Sequence, residues 1–254
     1  MTSILENILN KWLLAGALCA SATATFAQEK EEKKAPDNFV GSIDFGYGST
    51  SGNTETESFS LRSKARLTSG PFVNEAELQA VSASQNGVTN KERYYAAYQL
   101  NRDLSELVSS FIRADYDNDR FSGFEYQYLT AAGAAITWMV PENHRLKTDL
   151  GLGYRYSELQ PDDVTMEGAN QEETIVRFAL DYEWQFSDTA RFTQKITSDK
   201  GRENTISRSD TELRLTIAEP VSLVVGQHYK FYSDPLPGTQ STDRETKVAV
   251  SYSF

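Results

Sequence analysis

Residues 176–186 read VRFALDYEWQF, with a large apolar side chain at every second position. Val176 and Phe178 share one face with the aromatic residues that follow, whereas Arg177 and Asp181 share the opposite face. Successive side chains of a β-strand point to opposite faces of a sheet. The period of two therefore predicts a strand with one apolar and one charged face.

The same period dominates the chain from Phe39 onward. Counting such segments gives about twelve strands, and single-chain bacterial barrels have an even number. The predicted strands cover residues 39–49, 55–68, 72–85, 91–101, 107–117, 124–138, 145–157, 174–186, 191–199, 204–217, 221–232 and 244–254. We expect an all-β fold, a closed antiparallel transmembrane β-barrel in the outer membrane of a Gram-negative bacterium.

The predicted connections form a short set and a long set that alternate. The short set comprises residues 68–71, 141–144, 187–190 and 218–220, and the long set comprises residues 117–123, 157–173 and 233–243. Transmembrane barrels join their strands by short periplasmic turns and longer outer loops. The alternation therefore predicts that both ends of the barrel segment lie on the periplasmic side.

The N-terminal residues have the pattern of an export signal. Lys11 precedes a short apolar core, and small residues around Ala27 offer a cleavage site. We expect a signal peptide over residues 1–27, followed by a charged, disordered periplasmic lead-in over residues 28–38. The barrel is expected to span residues 39–254.

The composition limits the classes of function. Hydrophobic residues make up 39% and charged residues 24% of the chain, and the formal net charge is −11. No apolar run reaches the length of about 18 residues that a helical span needs. The acidic balance disfavours nucleic acid as a partner, because nucleic-acid binding depends on basic patches. The only cysteine, Cys19, lies in the predicted signal peptide, so we expect no disulfide and no thiol chemistry. We also expect no cofactor.

Complementary charges on neighbouring predicted strands indicate which face is inside. In lipid the apolar face of each strand points outward, and the charged face lines the interior. Opposite charges paired across strands stabilise a sheet by about 0.2–1 kcal/mol each. The predicted lumen-lining residues are Arg62, Lys64, Arg66, Glu75, Glu77, Arg177, Asp181, Arg208, Asp210, Glu212, Arg214, His228 and Lys230. Such a lumen fits either a narrow polar pore or a plugged cylinder.

The last predicted strand has apolar residues at Val248, Val250, Tyr252 and Phe254. This pattern is typical of a strand with one lipid face. It also resembles the C-terminal signal that the outer-membrane assembly machinery reads. That machinery is therefore an expected partner during insertion, besides outer-membrane lipid and lipopolysaccharide.

Candidates for catalysis and metal binding are few. A hydrolase needs a nucleophile, a base and an orienting group within reach. His228 is predicted to face inward, but Ser222 lies too far along the same face for direct contact. Asp115, Asp117 and Asp119 alternate like the start of a calcium loop, yet the glycine and glutamate of a helical calcium loop are missing. They are weak candidates for a non-helical divalent-cation site.

The predicted outer loop between Glu158 and Glu173 contains several acidic residues and no basic residue. We interpret it as a solvated loop. A second hypothesis is that its carboxylates bind divalent cations that also bridge lipopolysaccharide phosphates.

Four short motifs resemble those of a known family. They are SGNTET at residues 51–56, DRFSGFEY at 119–126, GLGY at 151–154 and YSF at 252–254. They are similar to motifs of the YdiY-like salt-induced outer-membrane proteins, over about residues 40–254. The resemblance implies an outer-membrane barrel of unassigned activity. It assigns no catalytic role to any residue of this sequence.

The expected function is that of a passive or structural envelope protein, or of a narrow channel for small solutes. A connection with salt or osmotic stress is implied by the resemblance alone. The alternatives are an outer-membrane hydrolase and a soluble periplasmic β-protein that binds a ligand.

Overall fold

Twelve β-strands contain most of the residues that the computed structural model describes, which are 38–50, 55–160, 170–236 and 238–254. The strands are β1 (Asn38–Thr50), β2 (Thr56–Ser69), β3 (Phe72–Gln85), β4 (Val88–Asp103), β5 (Val108–Asp119), β6 (Phe124–Trp138), β7 (His144–Leu159), β8 (Asn170–Ser187), β9 (Ala190–Lys200), β10 (Thr205–Ala218), β11 (Val221–Tyr232) and β12 (Thr242–Ser253).

Each strand pairs antiparallel with its neighbours in sequence, and β1 pairs with β12 to close the barrel. The closing seam is short, because its register involves only residues 42–45 of β1. The backbone amide of Phe254 extends it by donating to the carbonyl of Gly41 at 2.9 Å. Closure pairs the backbone groups of the first and last strands, which hydrocarbon surroundings require.

The two ends of the barrel differ in their connections. The end at which β1 begins and β12 ends is the terminal end, and the opposite end is the loop end. At the terminal end, Gly70-Pro71 joins β2 to β3. At the loop end, Asn86 and Gly87 join β3 to β4 with φ values of 51° and 76°, as in a type I′ hairpin turn. The predicted alternation of short and long connections is wrong at this hairpin.

The prediction of an antiparallel barrel with about twelve strands is confirmed, and β3, β6 and β11 have the predicted bounds. The larger differences occur at the loop end, where β4 begins at Val88 and β8 begins at Asn170. Backbone pairing continues there beyond the apolar alternation, because the β7–β8 register extends to Glu158 opposite Asn170.

Most large apolar side chains point outward, and the buried charged side chains lie inside. Leu152 and Val248 on the outer surface are 66% and 58% exposed, whereas Lys230 and Asp199 inside are 2% and 0% exposed. A soluble protein would bury the apolar face instead. The alternative of a soluble periplasmic β-protein is therefore wrong, and the chain is an outer-membrane β-barrel of a Gram-negative bacterium.

Several predictions lie outside the described residues. They are the signal peptide over 1–27, nearly all of the lead-in over 28–38, residues 51–54 of the first motif and residues 161–169 of the acidic loop. These stay predictions. In the described part of the chain, no helix is long and apolar enough to cross a membrane.

Candidate functional site

The barrel interior opens at the terminal end into a cavity of about 780 Å³, which we call the vestibule. Its wall includes Arg66 of β2, Asp181 of β8 and Glu212 of β10, and basic and acidic side chains line it in equal number. Cavities of this size accommodate small molecules. The vestibule is therefore a polar space without a large net charge.

Arg62 connects strands that are not neighbours in the barrel. Its Nε donates to Glu77 Oε1 of β3 at 2.6 Å, and its Nη1 forms an ion pair with Glu212 of β10. Lys64 Nζ lies 3.5 Å from the second oxygen of Glu212. These contacts span the lumen from β2 to β10, and so narrow the vestibule toward the middle of the barrel.

Ion pairs nearer the terminal end have longer N–O distances and more exposed side chains. Arg66 Nη1 lies 3.6 Å from Glu75 Oε1, and the two side chains are 40% and 37% exposed. Arg145 Nη2 lies 3.9 Å from Asp181 Oδ1. Exposed pairs of this kind stabilise a fold by about 0–1 kcal/mol. They leave charged groups accessible to solutes in the vestibule.

Asp44 is buried beside the closing seam. Arg214 Nη2 donates to its Oδ1 at 3.3 Å, and Lys247 Nζ lies 3.7 Å from its Oδ2. Arg214 also donates to the hydroxyl of Ser251. The contacts join β1, β10 and β12, so they support the seam where the backbone register is shortest.

Eight charged side chains fill the lumen above the vestibule, and we call them the ion-pair plug. They are Arg93, Arg113, Asp115, Asp117, Arg177, Asp199, Arg208 and Lys230. Asp117 has three basic partners within the plug. Arg93 Nε donates to Asp117 Oδ1 at 2.8 Å, and Lys230 Nζ donates to Oδ2 at 2.9 Å. Arg208 Nη2 lies 3.5 Å from the same Oδ2.

A series of ion pairs connects the plug residues of β10 with those of β5. Arg208 Nη1 donates to Asp199 of β9 at 3.3 Å, and Asp199 also accepts from Arg177 of β8 at 2.7 Å. Arg177 Nη1 lies 3.8 Å from Asp115 Oδ2, which is 3.0 Å from Arg113 Nε. The plug therefore crosses the interior of the barrel.

The plug contains five basic and three acidic side chains. Arg113 also uses neutral acceptors, because it donates to Gln99 Oε1 at 3.1 Å and to Tyr95 Oη at 3.0 Å. Burial of charges is unfavourable unless partners replace the lost water. The arrangement satisfies much of this requirement, and basic side chains outnumber acidic ones within this set of eight.

An apolar cluster, which we call the apolar cap, lies at the loop end. It consists of Phe124, Ile206 and Tyr232, with Leu159 and Leu236 packed against it. The rings of Phe124 and Tyr232 stack with centroids 6.3 Å apart, although β6 and β11 are distant in the strand order. Lys230 Nζ lies 5.1 Å from the centroid of Tyr232, so the apolar cap rests directly on the plug.

The structure places every lumen residue predicted from the sequence on an inward face. Arg62, Lys64, Arg66, Glu75, Glu77, Asp181, Asp210, Glu212 and Arg214 line the vestibule, Arg177, Arg208 and Lys230 belong to the plug, and His228 lines the narrow space between them. Arg93, Arg113 and Asp199 were missed. They occupy inward positions in the alternation of β4, β5 and β9, and that periodicity was the available signal.

The structure does not support a divalent-cation site at Asp115, Asp117 and Asp119. The first two carboxylates are paired with basic side chains of the plug, and Asp119 Oδ1 accepts from the backbone amide of Phe121 at 3.2 Å. Across residues 38–50, 55–160, 170–236 and 238–254, no group of three or more His, Cys, Asp or Glu side chains is arranged to hold a metal ion.

His228 and Asp210 form the pair that a hydrolase would use as base and orienting group. His228 Nδ1 lies 2.6 Å from Asp210 Oδ1. However, His228 Nε2 has no hydrogen-bond partner among the described residues, and the hydroxyl of Ser222 lies 3.4 Å from that of Thr216 instead. The pair therefore has no bonded nucleophile in the described lumen.

The predicted assembly signal lies on the outer surface. Val248, Val250 and Tyr252 are each more than half exposed, and the ring of Phe254 lies 5.8 Å from that of Phe39 across the closing seam. Recognition of these residues by the assembly machinery stays a prediction.

A family model described as a protein of unknown function, DUF481, matches residues 43–254. The chain belongs to the DUF481 family. The uncharacterized protein YdiY of Escherichia coli (strain K12) is 27% identical to this DUF481 chain over 250 residues, covering 95% of this chain and 96% of the relative. The family resemblance predicted from the four motifs is confirmed.

Solved outer-membrane barrels are similar to the DUF481 chain at low sequence identity. The translocator domain of the autotransporter NalP from Neisseria meningitidis has a TM-score of 0.46 at 11% identity, covering 100% of this chain and 97% of that one. The COG4313 outer-membrane channel from Pseudomonas putida F1 has a TM-score of 0.48 at 9% identity, covering 89% and 99%. The NanC porin has a TM-score of 0.47 at 10% identity, covering 84% and 97%.

Proposed function

We propose that this outer-membrane barrel is a narrow channel that rests closed and admits small anions when the ion-pair plug rearranges. The observation that carries the proposal is the asymmetry of the lumen. An accessible vestibule of about 780 Å³ at one end leads to charged side chains that cross the interior. A space open to solvent below a closure made of side chains is the arrangement expected of a gated passage.

The composition of the ion-pair plug favours a movable gate over a permanent structural core. Buried ion pairs contribute little net stability, and apolar residues of similar volume often stabilise a fold more. Side-chain contacts can also separate without unfolding any strand. Arg208 is the bridging member, because it contacts Asp117 of β5 and Asp199 of β9 and is 16% exposed. Displacement of this one side chain would divide the plug.

The excess of basic over acidic side chains in the plug supports anions as the solute class. Rings of Arg and Lys favour anions in pores, as rings of acidic residues favour cations. The vestibule does not oppose this preference, because its basic and acidic side chains are equal in number. Membrane-buried ionisable residues commonly mark solute pathways.

The decisive experiment compares the conductance of refolded protein in planar bilayers. The wild-type chain should show rare, small conductance steps. Arg208→Ala, which removes the bridge, should give conductance steps that are larger and last longer. In a salt gradient, the sign of its reversal potential should indicate selectivity for anions. Arg202→Ala is the control, because Arg202 lies outside the plug and the vestibule wall, 90% exposed and 3.3 Å from Glu203, and should behave like wild type.

Folding is checked by the change in gel mobility on heating, and Arg208→Met retains the side-chain volume if the alanine variant does not fold. A folded Arg208 variant without conductance would overturn the channel and favour the second candidate, a structural barrel. The hydrolase alternative is not proposed, because no nucleophile contacts His228 in the described lumen.

A role in salt or osmotic stress is proposed on the family resemblance. A physical link is available at Arg208, the bridging residue of the plug, which is 16% exposed and 3.5 Å from Asp117 Oδ2, because ionic strength weakens ion pairs that solvent reaches. Raising the salt concentration should therefore increase the frequency of openings beyond the rise expected from solution conductivity. An opening frequency independent of salt would remove this part of the proposal.

A further inference from the structure

Four uncharged polar side chains form a row on the outer surface of β9 to β12. They are Gln194, Thr211, Gln227 and Thr246, which we call the polar row. Thr211 of β10 is the register partner of both Gln194 on β9 and Gln227 on β11. Gln227 is in turn the partner of Thr246 on β12. The strand pairing therefore places one polar side chain of each strand side by side.

The polar row lies along the loop-end border of the apolar surface of the barrel. On β11, Gln227 lies between the outward Val225, which is 39% exposed, and the outward Tyr229. On β12, Thr246 lies between Val248 and Arg244. On β9, Gln194 is followed by Ile196, which is 39% exposed. Polar groups left without partners in hydrocarbon are strongly unfavourable. A carboxamide on the hydrocarbon side of this border therefore requires a hydrogen-bond partner.

The side chains at one end of the polar row have partners within the barrel, and those at the other end do not. Thr211 Oγ1 donates to Gln194 Oε1 at 2.6 Å, and Gln194 Nε2 donates to Ser209 Oγ at 3.0 Å. The side chains of Gln227 and Thr246 form no hydrogen bond with any other described residue. The β11–β12 end of the polar row therefore has donors and acceptors available to a neighbour.

The opposite wall of the barrel has a different surface. Leu150 and Leu152 of β7 are 62% and 66% exposed, and Val176 of β8 is 47% exposed. The outward hydroxyl of Thr148 accepts a hydrogen bond from Trp138 Nε1 at 3.0 Å. This wall suits contact with acyl chains, whereas the other side presents four uncharged polar side chains in one row.

We infer that the polar row is an interface with a second copy of this chain in the membrane. A carboxamide and a hydroxyl group each donate and accept hydrogen bonds, so the polar row is complementary to itself. A twofold axis brings the same surface of two subunits together, and the polar row contains no charge that would repel its copy. Polar side chains commonly join membrane-spanning segments by hydrogen bonds.

The absence of charge in the polar row also disfavours lipopolysaccharide phosphates as its occupant. Phosphate groups select basic side chains, whereas the nearest outward basic residue of β12, Arg244, stacks on Tyr229 with 5.0 Å between its Cζ and the ring centroid. With the twofold axis parallel to the barrel axes, both vestibules open on the same side of the membrane. The inference does not depend on whether the lumen conducts.

Cysteine cross-linking in isolated outer membranes tests the geometry. In a Cys19→Ser background, Gln227→Cys places a thiol near the proposed axis, where it meets its own copy. Mild oxidation should convert this variant largely to a disulfide-linked dimer. Leu152→Cys, on the opposite wall, should remain monomeric. Equal cross-linking of the two variants, or none at Gln227→Cys, would overturn the proposed interface.

Single-molecule photobleaching of labelled protein in phosphatidylcholine vesicles tests the energetics without lipopolysaccharide. The wild-type chain should bleach in two steps at high protein-to-lipid ratio and in one step on dilution. The double variant Gln227→Leu, Thr246→Val should raise the dissociation constant at least tenfold. Thr130→Val, which removes an outward hydroxyl of β6, is the matched control and should leave it unchanged.

A change in gel mobility on heating again shows that each variant is folded. A wild-type chain that is monomeric at every density would sink the inference, as would a double variant that dimerises normally. If the double variant instead altered only the retention of lipopolysaccharide, a lipid would be the occupant and the second copy would be rejected.

Discussion

The vestibule and the ion-pair plug are lined by the same residue types, but they hold their charges differently. In the vestibule, Arg66 and Glu75 are 3.6 Å apart and more than one third exposed. In the plug, Arg177 and Asp199 are 2.7 Å apart and 3% and 0% exposed. The comparison teaches that the number of charged residues in a barrel does not reveal whether its lumen is open. Their packing decides it.

Apolar inward residues explain the difference between the two regions. Ile175 and Phe111 are 0% and 2% exposed and belong to a buried cluster on the inner side of β5 to β8. The apolar cap closes the loop end above the plug. The remaining volume is small, so the charges of the plug must pair with one another. In the vestibule, water can solvate the same groups instead.

Removal of one charge from the plug should have the largest effect. Asp117→Asn deprives Arg93, Arg208 and Lys230 of their common carboxylate. We expect the free energy of unfolding to fall by about 3–5 kcal/mol, as for other buried pairs that lose one partner. Urea unfolding of the refolded protein in lipid vesicles measures this change. A loss below about 1 kcal/mol would show that water solvates the plug.

Thiol accessibility should separate the two regions along one strand. Thr193 and Thr197 both face inward on β9, but Thr193 lines the vestibule, whereas Thr197 lies at the plug and is 7% exposed. In a Cys19→Ser background, Thr197→Cys should react roughly tenfold or more slowly than Thr193→Cys with a charged thiol reagent, because reaction requires an exposed thiolate. Similar rates would contradict a closed lumen.

Removal of a charge from the vestibule should have a small effect. Glu75→Gln leaves Arg66 accessible to water, so we expect the free energy of unfolding to change by about 0–1 kcal/mol. The same urea experiment measures it beside Asp117→Asn. A loss as large as that of the plug variant would show that the vestibule pairs are as well packed as the buried ones.

The smallest expected effect is that of salt on these two variants. At 1 M KCl the screening length falls to about 3 Å, and buried pairs are screened much less than exposed ones. The difference between wild type and Glu75→Gln should therefore vanish at high salt, whereas that of Asp117→Asn should persist. Equal salt dependence of the two differences would remove the distinction between the regions.

Most of the fold could be predicted from the sequence, because the side chains of each strand alternate between apolar and polar with a period of two. Turn chemistry was informative where it was recognised, as at Gly70-Pro71, and it was overlooked at Asn86-Gly87, where both φ values are positive. The candidate site was less predictable. Arg93 and Asp199 could have been assigned inward from the alternation, but their partners lie on strands distant in sequence.

By itself, the sequence determined the location, the approximate strand count and the face that each side chain occupies, since these follow from local periodicity and from the hydrophobic effect. Only the tertiary structure decided that the charges of the plug are buried and those of the vestibule exposed. It also aligned Gln194, Thr211, Gln227 and Thr246 into one row. The physical reason is that lateral register and cross-lumen distances arise when the barrel closes, and no segment contains that information alone.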